Sequence, residues 1–227
     1  MWVFPDAGEL GRAAAQLTAQ ACAEAIAARG VFHLVLAGGN TPRHCYEMLR
    51  DMDVDWSRVH IWFGDERCVP PGDAERNDRM ADEALLAHVA IPASQIHRMP
   101  AEFGPEEGAR LYAGLLADAP VMDMLHLGMG EDGHTASLFP GHPALTDERL
   151  AIPVFNSPKP PPERVSMGLS VINAARQVLI LAAGAGKQEA IARIRGGERL
   201  PAGLVHNPQW FIDRDAAGEQ QPSSEDD

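Results

Sequence analysis

The sequence predicts an α/β fold: an open, mostly parallel sheet with helices on both faces, forming a single domain over residues 1–213. Three observations carry this. Strand-like apolar runs alternate with helix-periodic segments along most of the 227 residues. The runs are nearly continuous in apolar character, as strands buried on both faces require. Four of them exit into short loops rich in glycine or charge, "GGNTP", "GDER", "GMGEDGHT" and "GAGK". In open parallel sheets, ligands sit at the carboxyl ends of the strands, so this Rossmann-like arrangement brings all four loops to one edge.

Residues 7–29 are Ala-rich with apolar positions at helical spacing, and Gly30 follows as a C-cap. "VFHLVLA" (31–37) is the next strand, stopped by "GGNTP". Thr41 and Pro42 read as an N-cap and first-turn proline for a helix through "PRHCYEMLRD". "VHIWF" (59–63) is a strand ended by Gly64 and Asp65. A loop rich in proline, glycine and charge then leads to a helix over 78–89. A short strand is expected at 96–99, a helix at 105–118 and a strand at "VMDMLHLG" (121–128). "AIPVF" and "VSMGLS" are shorter strand candidates. "QVLILAA" (177–183) is a buried strand, and "GAGKQEAIARIR" is a glycine turn into a helix. "SPKPPPER" (157–164) reads as a proline-rich surface loop, and the acidic tail over 214–227 as disordered.

Composition is 45% hydrophobic and 22% charged, ordinary for a globular chain. No apolar run approaches the roughly 20 residues of a membrane span. The first residues lack a secretory pattern. Cys22, Cys45 and Cys68 are odd in number and scattered, which fits the reducing cytoplasm better than a disulfide framework. The net charge of −13 disfavours nucleic acid and acidic membranes as partners. An anionic small substrate would need a few focused Arg and Lys residues.

Gly128, Gly130 and Gly133 spell G-x-G-x-x-G in "LHLGMGEDGHTASLFPGH" (125–142). A dinucleotide site needs a long helix after the third glycine and an acid about 20 residues on, at the end of the next strand. Here Pro140 and Gly141 cut the helix short, and Asp147 and Glu148 precede the next strand. The glycines are left with a geometric use. They present His134, one of nine histidines and the one that follows an apolar strand, a glycine turn and Asp132. A neutral imidazole is the natural base near neutral pH, and Asp132 can orient it.

Gly38, Gly39, Asn40 and Thr41 leave backbone N–H groups open where a strand meets a helix, an anion site suited to phosphate. Alone, the motif is equally well explained as a tight turn. In "GDER", Arg67 suits either a phosphate clamp or a polarised carbonyl. Alone, that motif is a solvated charge cluster. "GAGK" lacks the full phosphate-loop pattern, since Gln188 stands where Ser or Thr would meet magnesium. Lys187 remains as a point charge at a helix start, and Arg164 can join it. There is no G-x-S-x-G elbow and no paired His or Cys spacing for a metal. The toolkit suits metal-free chemistry on a small phosphorylated substrate.

Taken in order, "GGNTP", "GDERCVPPGDAERND", "GMGEDGHTASLFPG", Arg164, "GAGKQEA" and "NPQWFID" resemble the 6-phosphogluconolactonase family over most of the chain. The wider superfamily includes glucosamine-6-phosphate deaminases/isomerases on a related fold, whose glycine loop carries a Glu near the histidine. Here Leu138 and Phe139 bring no carboxylate, which favours the lactonase. The family's Thr-rich strand after Arg164 is "VSMGLS" here, with Ser166 and Ser170 keeping the hydroxyl. The resemblance implies hydrolysis of 6-phospho-D-glucono-1,5-lactone in the oxidative branch of the pentose phosphate pathway, with neither metal nor cofactor. It implies His134 as general base, with Asp132 or Glu131 orienting its loop and Arg67 or backbone N–H groups on the developing oxyanion. Gly38, Gly39, Asn40, Thr41, Gly130, Arg164 and Lys187 line the substrate site. A monomer or small homo-oligomer is expected. The rivals are a deaminase/isomerase with Asp65 as base, a sugar-phosphate sensor, disfavoured because no DNA-binding segment is evident, and a nucleotide-dependent oxidoreductase.

Overall fold

The computed structural model describes residues 1–219. The elements in chain order are β1 (Trp2–Phe4), α1 (Ala7–Arg29), β2 (Phe32–Leu36), α2 (Asn40–Leu49), β3 (Val59–Phe63), β4 (Asp65–Arg67), α3 (Asn77–Ala84), α4 (Pro105–Ala117) and β5 (Met124–Gly128). They continue with β6 (Ala151–Val154), β7 (Arg164–Met167), α5 (Leu169–Ala174), β8 (Gln177–Ala182), α6 (Gln188–Arg195), β9 (Gln209–Asp213) and α7 (Arg214–Ala217).

Six strands form one parallel sheet in the order β1-β9-β8-β5-β2-β3. Its central strands are buried but for an end residue in β5 and in β8, as their apolar runs predict. The chain moves outward from β2 to β3 on one side, and from β5 through β8 to β9 on the other. Neighbouring strands β2 and β5 are therefore a switch point, where loops diverge and leave a crevice.

Two elements of the expected architecture change. β4, β7 and β6 form a separate antiparallel sheet, so "GDER" is a strand as well as a loop, and "AIPVF" and "VSMGLS" do not join the main sheet. β4 follows β3 after one glycine, which turns the chain out of the parallel ladder. Residues 96–99 contribute only a single bridge, Ile61 to Ile96, in place of a strand.

Several boundaries also shift. α2 begins at Asn40 behind Gly39, so Thr41 lies inside its first turn and is not the cap. The expected 78–89 helix stops at Ala84 and tightens into a 3₁₀ turn, Leu86–His88. The 121–128 strand starts only at Met124. Just before it, the Asp123 carboxylate accepts from Arg29 at 2.6 Å and from the His33 N–H at 2.9 Å. The tail expected to be disordered from Arg214 opens with helix α7, because Asp213 caps it by accepting from the Ala216 N–H at 2.8 Å. The rest of that expectation, from residue 220, lies outside the described residues.

Strand ends leave backbone groups that must find partners inside the protein. Two buried tyrosines supply them. The Tyr46 hydroxyl accepts from the Ala37 N–H at 2.8 Å and donates to the Ala37 carbonyl at 3.1 Å, just past β2. The Tyr112 hydroxyl does the same for Phe63, at 3.0 and 3.1 Å, at the end of β3. Each ties a covering helix to the point where a functional loop departs. Tyr46→Phe would orphan both groups of Ala37, and a loss of about 1–3 kcal/mol in stability is expected from urea unfolding.

Candidate active site

The four loops converge as their positions predict. They surround a cavity of about 460 Å³ lined by residues from the ends of β2, β3, β5 and β8, including Gly38, Asp65, His134 and Lys187. Residues 38–41 form its floor on the β2 side. Gly39 adopts φ 99°, a conformation that favours glycine, and caps α2 with no side-chain hydrogen bond. The N–H groups of the helix's first turn are left open. Gly38 has no room for a side chain, since a Cβ there would lie 1.9 Å from Asn77 Oδ1.

The loop after β5 folds back on itself. The Gly130 N–H donates to the His134 carbonyl at 2.9 Å, and the Gly133 N–H to the Gly130 carbonyl at 3.0 Å. A Cβ at Gly130 would fall 2.0 Å from His134 Nδ1, so the imidazole occupies the space that this glycine leaves. His134 Nδ1 pairs with Asp132 Oδ1 at 2.5 Å, and the same oxygen accepts from the His134 N–H at 3.2 Å. Asp132 thereby fixes the ring and its tautomer, with Nδ1–H donating and the Nε2 lone pair free. Burial holds the His134 imidazolium below its ordinary 6.5, and Asp132 opposes that shift only in part. The imidazole is neutral at neutral pH. Burial raises the Asp132 carboxyl, but its hydrogen bonding with His134 outweighs that and holds it below its ordinary value, so Asp132 stays ionised.

Asp65 is buried at the cavity wall. It accepts from the Ser137 hydroxyl at 2.6 Å and from Asn77 Nδ2 at 3.1 Å, so both oxygens have fixed partners. Glu66 points inward and accepts from the N–H groups of Arg67, Asn77 and Asp78 at 2.8–2.9 Å. Burial pushes its carboxyl up to about 7 against those donors. This pins the 67–77 loop and with it Arg67, which lines the cavity. The Arg67 guanidinium donates to the Glu75 carbonyl at 2.6 Å, while its buried Nε has no protein partner. Lys187 sits half-buried after Gly184, whose N–H is held by the Asp213 carboxylate at 2.9 and 3.0 Å. Burial lowers the Lys187 ammonium from its ordinary value.

Arg164 lines the cavity, as expected, and is held from behind by the 159–161 loop. Its Nε donates to the Pro161 carbonyl, and its Nη2 to the carbonyls of Lys159 and Pro160, each at 3.0 Å. Its Nη1 lies 4.0 Å from Asp65. The "SPKPPPER" segment is correspondingly more than a surface loop, because it folds over this guanidinium and brings Lys159 to the cavity. Sequence reasoning missed Lys159, Asn77 and Ser137. For Lys159 a signal existed: the chain has two lysines, and the other is Lys187. Asn77 and Ser137 act through contacts across long separations, which no local pattern announces.

The family model described as glucosamine-6-phosphate isomerases/6-phosphogluconolactonase matches residues 5–212. The 6-phosphogluconolactonase of Mycobacterium tuberculosis is 41% identical, with 95% of this chain and 96% of that one covered. The human 6-phosphogluconolactonase is also 41% identical, with coverage of 95% and 91%. Among solved structures, 6-phosphogluconolactonase from Thermotoga maritima aligns with a TM-score of 0.87 at 27% identity, covering 93% of this chain and 98% of that one. A monomeric glucosamine-6-phosphate deaminase shares the fold, with a TM-score of 0.85 at 21% identity, covering 96% and 99%. The chain thus belongs to the glucosamine-6-phosphate isomerase/6-phosphogluconolactonase family.

Proposed function

We propose that this enzyme hydrolyses 6-phospho-D-glucono-1,5-lactone to 6-phospho-D-gluconate, the reaction named by its 6-phosphogluconolactonase relatives. One observation carries the reading: a neutral, carboxylate-oriented histidine in a cavity whose other wall is an uncapped helix start beside a lysine. A base at one end and an anion cradle at the other suit a substrate with a reactive carbonyl and a remote phosphate. The deaminase alternative loses support at Leu138 and Phe139, which are fully buried and supply no carboxylate beside the histidine.

In this reading, water attacks the lactone carbonyl as His134 Nε2 takes its proton. The carbonyl π pair moves onto oxygen, where Arg67 and backbone N–H groups stabilise the charge. Collapse breaks the bond between carbonyl carbon and ring oxygen, and the imidazolium returns its proton to that oxygen. The N–H groups of residues 39–41 and Lys187 hold the phosphate, and Gly130 makes room for the base. Asp65 acts as a fixed acceptor in the wall.

Among the described residues no helix is long and apolar enough to cross a membrane. Cys22, Cys45 and Cys68 are unpaired, and burial pushes each thiol up to about 12, so they are inert. These features fit a cytoplasmic enzyme acting on a free small molecule, as a monomer or small homo-oligomer.

The direct test is lactone hydrolysis above the spontaneous background in the presence of EDTA, together with an assay for ammonia from glucosamine 6-phosphate. Hydrolysis without ammonia release is expected. His134→Ala should lower kcat by about 10²–10⁴-fold, and full retention of kcat would remove His134 from the mechanism. The pH profile follows from the lowered imidazolium: activity should fall as pH drops and protonates His134, with an acid limb centred below 6.5. Asp132→Asn removes the charge that favours the imidazolium. Its acid limb should move to still lower pH while its plateau rate falls, and a shift to higher pH would contradict the assigned pairing.

A further inference from the structure

We propose that His33, His60 and His97 form an acid-opened latch that fastens residues 96–97 along the outer edge of β3. None of the three lines the catalytic cavity, and the latch does not depend on the reaction proposed above.

β3 is the last strand of the main sheet, so one row of its backbone groups faces outward. Residues 96–97 cover part of that edge. Ile96 bridges Ile61, and the His97 N–H donates to the Ile61 carbonyl at 2.8 Å. One bridge is little backbone pairing, and side chains add to it. His33 and His60 are register partners on β2 and β3, with ring centroids 4.7 Å apart. His60 Nδ1 meets His97 Nε2 at 3.1 Å, and the His97 ring stacks on Trp62 at 4.0 Å. Trp62 Nε1 then donates to His33 Nδ1 at 3.1 Å, which closes the cycle.

These contacts require uncharged rings. An indole N–H only donates, so His33 Nδ1 must be a bare lone pair, and protonating it breaks the bond to Trp62. His60 and His97 share one proton across their contact. The pair can carry one more proton but not two, because two N–H groups would then face each other. Burial, with His60 beside it, lowers His33 to about 4. Burial also lowers His60 and His97, and His60 lowers His97 further. Asp123, just before β5, works the other way on His33. Its carboxylate is already shared by Arg29 at the end of α1 and by Arg176 ahead of β8. From α4, Tyr112 meets the edge of Trp62, and its hydroxyl is engaged by the Phe63 backbone.

The closed latch therefore holds its imidazoles below their ordinary 6.5, and opening returns them to it. The open form binds more protons, so acid favours it. For His33 alone, going from pH 7 to pH 5 raises the opening constant about 20-fold. His60 and His97 add to that. The consequence reaches the active site through the next two residues. The Met99 carbonyl accepts from Arg76 Nη2 at 3.1 Å, and Arg98 pairs with Asp78 at 3.5 Å. Between Arg76 and Asp78 stands Asn77, which lines the catalytic cavity.

The test is amide hydrogen exchange at the His97 N–H, corrected for the intrinsic effect of pH on exchange. In the wild type its protection should fall by more than about 20-fold between pH 7 and pH 5, while Leu125 and Leu179 in the sheet centre stay protected. His33→Gln and His97→Gln keep side chains that can hydrogen-bond but do not titrate. Each should flatten the response, His33→Gln by about 20-fold. A flat response in the wild type, an undiminished response in either variant, or equal losses at Leu125 and Leu179 would overturn the latch. If His33→Gln does not fold, the wild-type His33 ring is titrated by NMR instead. A midpoint well below 6.5 is expected, and an ordinary one would overturn the latch.

Discussion

The site depends on one constraint, the parallel pairing of β2 with β5. Parallel strands deliver their carboxyl ends to the same edge, so the loop after each must open there. Because the chain leaves β2 in one direction and β5 in the other, the two loops part and frame a crevice. The glycine turn that starts α2 belongs to the first loop and His134 to the second. The end of β4 and the turn after β8 then add Arg67 and Lys187 to its rim. An antiparallel hairpin would have sent successive loops to opposite ends and separated His134 from the start of α2.

Beneath this rim lies a layer of buried polar groups that touch one another more than they touch the cavity. Asp65, Asn77 and Ser137 form one connected set, and Glu66 with the backbone of residues 67, 77 and 78 forms another. Burying such groups is costly unless each finds partners. Here they do, and the return is rigidity: Arg67 and the His134 loop are fixed from behind. The small antiparallel sheet serves the same end. β4 carries Arg67 opposite Arg164 of β7, so the two guanidinium-bearing strands are held in register.

Much of the fold was legible in the sequence, because the central strands are continuous apolar runs and the long helices carry clear stops such as Gly30. The convergence of the four loops followed from topology alone. His134 and Asp132 could be read as a pair because their contact is local. Arg164 was read at the site and does line the cavity, but only the folded loop reveals the carbonyl partners that hold it there. Lys159 was hidden by proline-rich surroundings that suggested a passive surface. The second sheet escaped because β4 is three residues long and pairs with a strand about one hundred residues away.

The acidic wall around the base has a bearing on turnover. On the proposed reaction, the reacting end of the substrate enters uncharged and leaves as a carboxylate. That end of the cavity holds Asp65, with the ionised Asp132 behind His134, while Glu131 reaches toward Gly186 and Lys187. The product's new charge therefore meets the carboxylates of Asp65 and Asp132 as well as Arg67, while its phosphate is held as before. In a site built this way, the hold on the product depends on the charge of the walls as well as on the opening of the ring.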